Sequence, residues 1–367
     1  MNILFNFDKT SLYFDNPVSV ISCSSFEEVP HAFERMEEAL AQGLHVAGFF
    51  SHELGYAFEE KFSSYHLNGF PLIYVGCYEK SQPYHNKIPS DHVLEIKNLR
   101  FNISKEKYFE HIDIIRSYLQ SGDVYQITYC LKILFDFKGS AFDLYRKLFA
   151  VQPVPYAAFV ETDQYSIASL SPELFLYKKG NSILSKPMKG TWQRGSSLFA
   201  DTMAKFEFYY DEKNRVENIM ITDLLRNDLG RIGKNIRVPR LCEVTPYITL
   251  FQMTSTVAAD IEPDVPLYNL FKSLFPSGSV TGAPKIRAME IIHELEGGHR
   301  NIYTGAIGYI KPNKDLFINI PIRTALINRA SGKGEMGIGG GIVWDSTAEG
   351  EWAEGILKAR FFTDIIY

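Results

Sequence analysis

Apolar residues recur along the chain at two spacings, one typical of helices and one typical of strands. The clearest helical pattern begins after Ser104, a residue type that caps helices, and ends at Gly122. Its apolar stripe consists of Tyr108, Ile112, Ile115 and Leu119. Spacings of three and four residues place these side chains on one face, so the pattern predicts an amphipathic helix.

Other segments follow the same two patterns. Helices are predicted over residues 29–43, 205–229, 283–297 and 349–362. Strands are predicted over residues 125–137, 156–188, 236–261, 303–310, 316–327 and 334–344. Because strands come in blocks and helices stand apart from them, the predicted fold class is α+β with large antiparallel sheets.

A polar segment that carries proline, KSQPYHNKIPSDH at residues 80–92, interrupts this pattern and predicts a connection. We expect an N-terminal region over residues 1–100 and a catalytic region over residues 101–367, interleaved in one globular unit. No internal repeat or low-complexity segment is apparent.

Composition narrows the class of protein. The 367 residues are 46% hydrophobic, which is ample for a large core, and 38 basic against 43 acidic residues leave a net charge of −5. No basic patch indicates nucleic-acid binding, and no apolar run approaches the ~20 residues that span a bilayer. The N-terminus lacks a signal-peptide pattern, and the four cysteines form no C-x-x-C pair. We therefore expect a cytoplasmic protein with reduced, buried thiols.

Acidic residues on two predicted helices form the first candidate site. Glu351, Glu354 and Lys358 share one face of the last helix, and Glu217 lies on the otherwise apolar face of an earlier helix. A solvated acidic face is the ordinary interpretation of such a pattern. A site for a hard cation such as Mg²⁺ is the alternative, because carboxylate oxygens are its preferred ligands.

Two cationic residues in apolar surroundings are further candidates. Lys189 lies in KPMKGT, directly after a predicted strand, and is either a surface lysine near a turn or a buried amine that acts as a nucleophile. Arg323, inside the apolar strand PIRTALI, requires a carboxylate partner from the protein or from a substrate. The glycine-rich runs SGSVTGAP and GIGGGIV could let an anion approach backbone N–H groups, or form an ordinary turn and strand.

Taken together, the runs KPMKGT, VENIMITDLLRNDLGRI, SGSVTGAPKIRAMEII and GIGGGIVWDSTAEGEWAE resemble the chorismate-utilising enzyme family. The resemblance extends over residues 101–363, and several long motifs occur in the same order. It implies the fold of that family, in which large antiparallel sheets pack as a sandwich with flanking helices. Chorismate is then the expected substrate and Mg²⁺ the expected cofactor.

The resemblance also implies roles for individual residues. The acids that match the Mg²⁺ ligands are Glu217, Glu351 and Glu354. The positions that match the group receiving the pyruvyl carboxylate are Tyr303, Arg323, Gly339 and Gly341. The positions that match the rest of the substrate pocket are Thr191, Thr281 and Gly282. Glu173, in SPELF, matches the general acid that protonates the departing C4 hydroxyl.

The residues at three positions distinguish the branches of the family. Lys189 stands where the anthranilate, isochorismate and salicylate enzymes have alanine, and resembles the lysine nucleophile of the branch that forms 4-amino-4-deoxychorismate for 4-aminobenzoate and folate biosynthesis. Gln126 replaces the lysine base of the members that use water. Gln252 stands where many members have a histidine linked to aromatisation, which fits a reaction that stops at the amino product. An anthranilate-forming enzyme and a non-catalytic relative that binds chorismate are the alternatives.

The expected co-substrate is ammonia. The chain lacks a glutaminase signature, namely a glycine-flanked nucleophilic cysteine with downstream histidine and glutamate. We therefore expect ammonia to come from solution or from a separate glutamine amidotransferase subunit.

Overall fold

The computed structural model describes residues 1–8, 10–84, 93–247 and 250–363. The described α-helices are α1 Val29–Ala41, α2 Lys105–Gln120, α3 Ala141–Val151, α4 Leu198–Tyr210, α5 Glu212–Gly230, α6 Leu267–Leu274, α7 Lys285–Glu296 and α8 Ala348–Thr363. The predicted helices near 29–43, 283–297 and 349–362 are therefore confirmed as α1, α7 and α8. Helix α2 begins as predicted, because the Ser104 side chain accepts a hydrogen bond from the Lys107 backbone N–H.

The prediction of one helix over residues 205–229 is wrong, because this stretch belongs to two helices, α4 and α5. Asp211 separates them with an extended backbone, at φ −64° and ψ 114°. Its side chain accepts a 2.9 Å hydrogen bond from the Asn214 N–H and caps α5. Helix α4 begins earlier than expected, after its own cap Ser197, and buries only Phe208.

Two large sheets carry the strands. The first, sheet A, has the order β16-β8-β20-β19-β10-β9-β1-β2-β6, with β7 also paired to β8. Its strands are β1 Asn2–Phe7, β2 Thr10–Phe14, β6 Gln82–Pro83, β7 Glu95–Phe101, β8 Gln126–Lys138, β9 Tyr156–Glu161, β10 Tyr165–Ser171, β16 Gly282–Ala283, β19 Thr324–Asn328 and β20 Lys333–Ile342.

The second, sheet B, has the order β13-β15-β12-β11-β18-β17-β4-β5-β3, with β14 also paired to β15. Its strands are β3 Ser19–Cys23, β4 His45–Phe50, β5 Ile73–Tyr78, β11 Leu174–Lys179, β12 Ser182–Lys186, β13 Met188–Gln193, β14 Gly233–Pro246, β15 Leu250–Ile261, β17 Ala306–Ile310 and β18 Leu316–Asn319. The strand pairs of both sheets are antiparallel, from β1 with β2 to β7 with β8. The predicted α+β class is confirmed.

The sheets and helices form layers. An apolar core that includes Phe5, Phe49 and Ile167 draws residues from both sheets and lies between them. A second core packs α1, α5 and α6 against sheet B, and a third packs α2, α3, α7 and α8 against sheet A. This arrangement is a sandwich with helices on its outer faces.

Strands from the first hundred residues lie in both sheets beside strands from later in the chain. β1 pairs with β9 in sheet A, and β4 pairs with β17 in sheet B. The predicted connection at residues 80–92 contains β6, while residues 85–92 lie outside the described part of the chain. All four cysteines are free and buried. Across the described ranges no helix is both long and apolar enough to cross a membrane.

Candidate active site

Lys189 lies on β13, the strand at the edge of sheet B. The next residue, Gly190, has a φ of +83°, and a side chain there would meet Asn214 of α5 at 2.5 Å. Glycine therefore permits the turn that brings the lysine strand against α5. Lys189 is partly buried, and this burial lowers the pKa of its amine although Glu217 and Glu173 lie near enough to oppose the shift.

Glu173 lies between β10 and β11 and is 3% exposed. Its Oε1 atom accepts a 2.7 Å hydrogen bond from the Ser279 hydroxyl and a 3.4 Å contact from the Met188 N–H. Burial raises the pKa of Glu173 to about 7, against the opposing effects of Ser279, Lys189 and Met188. A carboxyl group with this pKa carries its proton over a large part of the neutral pH range, as a general acid must.

The lysine lies between the two sheets, next to strands β8 and β20 of sheet A. A Cβ atom on Gly341 would collide with Gln126 Nε2 and would lie 3.0 Å from Lys189 Nζ. Gly341 therefore leaves the space in which the amine and the amide approach each other. Gln126 is fully buried, and neither of its polar side-chain atoms has a hydrogen-bond partner among the residues described.

Two of the three predicted metal ligands flank the neighbouring glycine. A Cβ atom on Gly340 would lie 3.0 Å from Glu351 Oε2 and 3.9 Å from Glu354 Oε1. Glu351 accepts a 2.6 Å hydrogen bond from the Ser346 hydroxyl. Glu354 forms a 2.7 Å ion pair with Lys358, whose ammonium also donates to the Gly339 carbonyl at 2.9 Å. Lys358 supplies the positive charge beside these acids.

The electrostatics of the three acids differ. Burial raises the pKa of Glu217, and the negative charges of Glu351 and Glu354 add to this effect. Burial likewise raises the pKa of Glu351, whereas Lys358 holds that of Glu354 below its ordinary value. Carboxylates that repel one another in partly buried surroundings fit a hard cation in their donor chemistry. In the described ranges, however, no three Asp, Glu, His or Cys side chains converge as closely as metal ligands do.

Arg323 occupies a strained position before β19, with a φ of +52°. Its guanidinium forms no ion pair with any carboxylate in the part of the chain that is described, and burial lowers its pKa. Tyr247 lines the same small cavity as Arg323, together with Gln152 and Leu250. The phenol was not singled out from the sequence. Within the described residues, Tyr247 is the charged or titratable neighbour that affects the pKa of Arg323.

Four other predicted positions have close contacts of their own. The Tyr303 ring fills the space left by Gly337, and its hydroxyl shares a hydrogen bond with Cys130. Gly339 lies against the backbone of β8, where a Cβ atom would meet Cys130 Sγ at 2.9 Å. Of the remaining two, Thr281 directly precedes β16, and Gly282 is the first residue of that strand. The Thr281 hydroxyl donates to the Ser277 carbonyl at 3.0 Å, and Gly282 permits the close approach of β16 to β8.

Gln252 and Thr191 face each other as register partners on β15 and β13. Thr191 is exposed, whereas Gln252 is fully buried, with no hydrogen-bond partner for its Nε2 or Oε1 atom in the described residues. The run SGSVTGAP contains β16 and ends at Pro284, the N-cap of α7, so it leads directly into that helix as predicted, and it also contributes Ser279 to the site. Ser279 carried no signal of its own in the sequence beyond its place in that run.

Comparison with known families gives one match along most of the chain. Residues 9–364 match the family described as chorismate binding enzyme. The chain belongs to this family. The solved structure of a putative 2,3-dihydroxybenzoate-specific isochorismate synthase from Bacillus anthracis has the same fold, with a TM-score of 0.80, 18% identity, and coverage of 99% of this chain and 95% of that one.

Sequence relatives are closer. The chain is 37% identical over 263 residues to aminodeoxychorismate synthase component 1 of Klebsiella aerogenes, which covers 71% of this chain and 58% of the relative. It is 34% identical over 268 residues to anthranilate synthase component 1 of Aquifex aeolicus, with 72% and 54% covered. The chain thus spans little more than half of the length of these two relatives.

Proposed function

We propose that this chain converts chorismate and ammonia to 4-amino-4-deoxychorismate and water. The observation that carries the proposal is the position of the Lys189 amine. It lies next to Gly341 and Gln126, close enough to Glu173 for the two charges to affect each other. A partly buried amine with a lowered pKa is a competent nucleophile, and a buried carboxyl with a pKa of about 7 is a competent proton donor.

In the first half of the reaction the neutral Lys189 amine forms a bond to C2 of the ring. The ring double bonds shift, the C4–O bond breaks, and Glu173 donates its proton to the departing oxygen, which leaves as water. Lys189 nitrogen becomes a secondary ammonium, so the enzyme and the ring are joined covalently. The Ser279 hydroxyl and the Met188 N–H hold the Glu173 carboxyl in place during this step.

In the second half ammonia forms a bond to C4. The double bonds shift back, and the C2–N bond breaks and releases the Lys189 amine. One proton passes from the new ammonium group to the Glu173 carboxylate, which restores the acid. The net change is replacement of the C4 hydroxyl by an amino group, and no oxidant or reductant is needed.

Binding of the substrate requires compensation of its two carboxylates. The Arg323 guanidinium, which forms no ion pair within the described residues, suits one of them, because a bidentate contact satisfies a buried arginine. Glu217, Glu351 and Glu354 would hold Mg²⁺, since carboxylate oxygens are its preferred ligands. When bound, the ion neutralises the second carboxylate and so favours electron movement through the ring.

A second protein is proposed as the source of ammonia. The relatives from Klebsiella aerogenes and Aquifex aeolicus are each named as component 1 of their synthase, a name that indicates a further component in those enzymes. We infer a glutamine amidotransferase subunit for this chain, since at neutral pH free ammonia is scarce and direct transfer keeps it unprotonated.

Product analysis tests the proposal. The purified chain is incubated with chorismate, MgCl₂ and ammonium chloride, and the product is identified by mass spectrometry with and without an added aminodeoxychorismate lyase. We expect 4-amino-4-deoxychorismate, which the lyase converts to 4-aminobenzoate. Fluorescent anthranilate formed without the lyase would instead assign the chain to the anthranilate-forming branch, and absence of any chorismate turnover would contradict both enzymatic proposals.

A further inference from the structure

Two glutamine side chains, Gln126 and Gln252, are fully buried at the place where the sheets meet. Gln126 begins β8 of sheet A, and Gln252 lies on β15 of sheet B. All four polar atoms of the two amides lack a hydrogen-bond partner among the described residues. Buried amides normally have partners, so these atoms are available to a bound molecule.

The direction of the Gln252 side chain follows from its neighbours on β15. Phe251 and Met253 belong to an apolar cluster that includes Phe208 of α4, on the outer side of the strand. Successive side chains alternate between the faces of a strand, so Gln252 points to the opposite face. Its register partner Thr191 lies two residues after Lys189 on β13. Gln252 and Thr191 therefore lie on the same face of the sheet that strands β13 and β15 form.

Strand register relates the position of Gln252 to that of Met188, which contacts the general acid Glu173. Thr254 is the partner of Met188, whose N–H contacts the Glu173 carboxyl. Gln252 is two residues from Thr254 on the same face of β15, a separation of about 7 Å along the strand. This register places Gln252 two residues from the position that pairs with Met188, the residue whose N–H contacts Glu173. Gln126, in contrast, contacts the space beside the lysine amine.

An amide is suited to hold ammonia. Its carbonyl oxygen accepts an N–H hydrogen bond, which leaves the nitrogen lone pair free for attack. Its charge does not change with pH, so it cannot convert ammonia into unreactive ammonium. We propose that Gln252 binds the ammonia molecule and directs it to C4 of the covalent intermediate, an inference that rests on the proposed function of Lys189 and Glu173.

The experiment compares the enzyme with its Gln252→Leu variant, in which a side chain of similar size replaces the amide. Initial rates are measured at pH 8.5 with ammonium chloride and chorismate varied separately. The apparent KM for ammonia is expected to rise at least tenfold in the variant, while the KM for chorismate changes less than threefold. The rate at which the variant forms the Lys189 adduct without ammonia should also stay within threefold of the rate of the unchanged enzyme, because Gln252 acts only in the second half of the reaction.

Two further variants show whether a change in KM comes from loss of the amide or from misfolding. Gln252→Met replaces leucine if the first variant does not fold, as judged by circular dichroism and thermal unfolding. Gln252→Asn retains an amide on a shorter stem and should recover part of the affinity for ammonia. An unchanged KM for ammonia, or an equal rise in the KM for chorismate, would overturn the inference. If the unchanged enzyme forms adduct but no aminated product with ammonium chloride, the proposed function fails and the inference fails with it.

Discussion

The Ser279 hydroxyl donates a 2.7 Å hydrogen bond to Glu173 Oε1 and joins residues that are 106 positions apart in the chain. This contact favours the carboxylate form, while burial of Glu173 favours the protonated form. Burial has the larger effect, and the resulting pKa of about 7 makes Glu173 able to donate a proton and to accept one again within a single turnover.

Ser279→Ala removes the hydrogen bond that lowers the pKa of Glu173, so this pKa should rise further. Adduct formation needs protonated Glu173 and falls as pH rises through that pKa. The alkaline limb of the single-turnover rate should therefore move to higher pH in the variant, and the plateau rate should fall a few-fold because the carboxyl is less well positioned. The single-turnover rate of Glu173→Gln should show no alkaline limb. An alkaline limb at unchanged pH in Ser279→Ala would contradict the proposed effect of Ser279 on the pKa of Glu173.

The raised pKa of Glu173 also affects the stability of the protein. Between the ordinary carboxyl pKa and about 7, the folded state binds more protons than the unfolded state, so this group lowers the free energy of unfolding as pH rises. Glu173→Gln removes that dependence. From pH 5 to pH 8 the variant should gain stability relative to the unchanged protein by about 2–3 kcal/mol, measured by urea unfolding. Equal differences at the two pH values would contradict the raised pKa.

Arg323 should behave as a ligand-binding residue rather than as half of a structural ion pair. Since no described carboxylate pairs with it, Arg323→Leu is expected to leave the melting temperature unchanged or to raise it. The KM for chorismate should rise on the order of a hundredfold, because the variant loses a charge-assisted bidentate contact. Arg323→Lys should recover only part of this, because an ammonium lacks the planar fork. A large drop in melting temperature in Arg323→Leu would instead indicate a structural role.

The acid cluster should bind Mg²⁺ in the absence of chorismate. Binding to the folded state raises the melting temperature with ion concentration, and Glu354→Gln should reduce the shift that 10-fold steps of MgCl₂ produce. Glu349→Gln is the matched control, since Glu349 is an exposed acid in the first turn of the same helix. Equal shifts in the two variants would place the ion elsewhere. Calorimetry of the same proteins gives an independent readout that does not depend on turnover.

Local signals in the sequence were sufficient to predict several helices. Ser104 marked the start of α2 because its side chain caps the helix, and this capping geometry is local. Asp211 is a capping residue of the same kind, but the continuous apolar pattern around it concealed the break between α4 and α5. The class of fold also followed from the order of strands and helices, since that order limits the possible layers.

Pairing between distant segments was not available from local patterns. Strand β8 joins β20 across about two hundred residues, and only this pairing brings Gln126 beside Gly341. The partnership of Ser279 with Glu173 depends on the same packing, and Tyr247 was missed because an aromatic residue between strands has no distinctive spacing. Lys189 and Glu173 were found through their motifs, whereas their approach to each other is a property of the folded sandwich.

Attack of the Lys189 amine on the ring of chorismate is the step on which the proposed function depends. Its most direct test is acid quench of the enzyme with chorismate and MgCl₂ but no ammonia, followed by intact mass measurement and peptide mapping. We expect a mass increase equal to chorismate minus water, located on the peptide that contains Lys189 and absent from Lys189→Ala. Lys205→Ala, which changes an exposed lysine on α4, should form the adduct normally. Undiminished adduct in Lys189→Ala, or aminated product formed by that variant at the normal rate, would rule out Lys189 as the nucleophile.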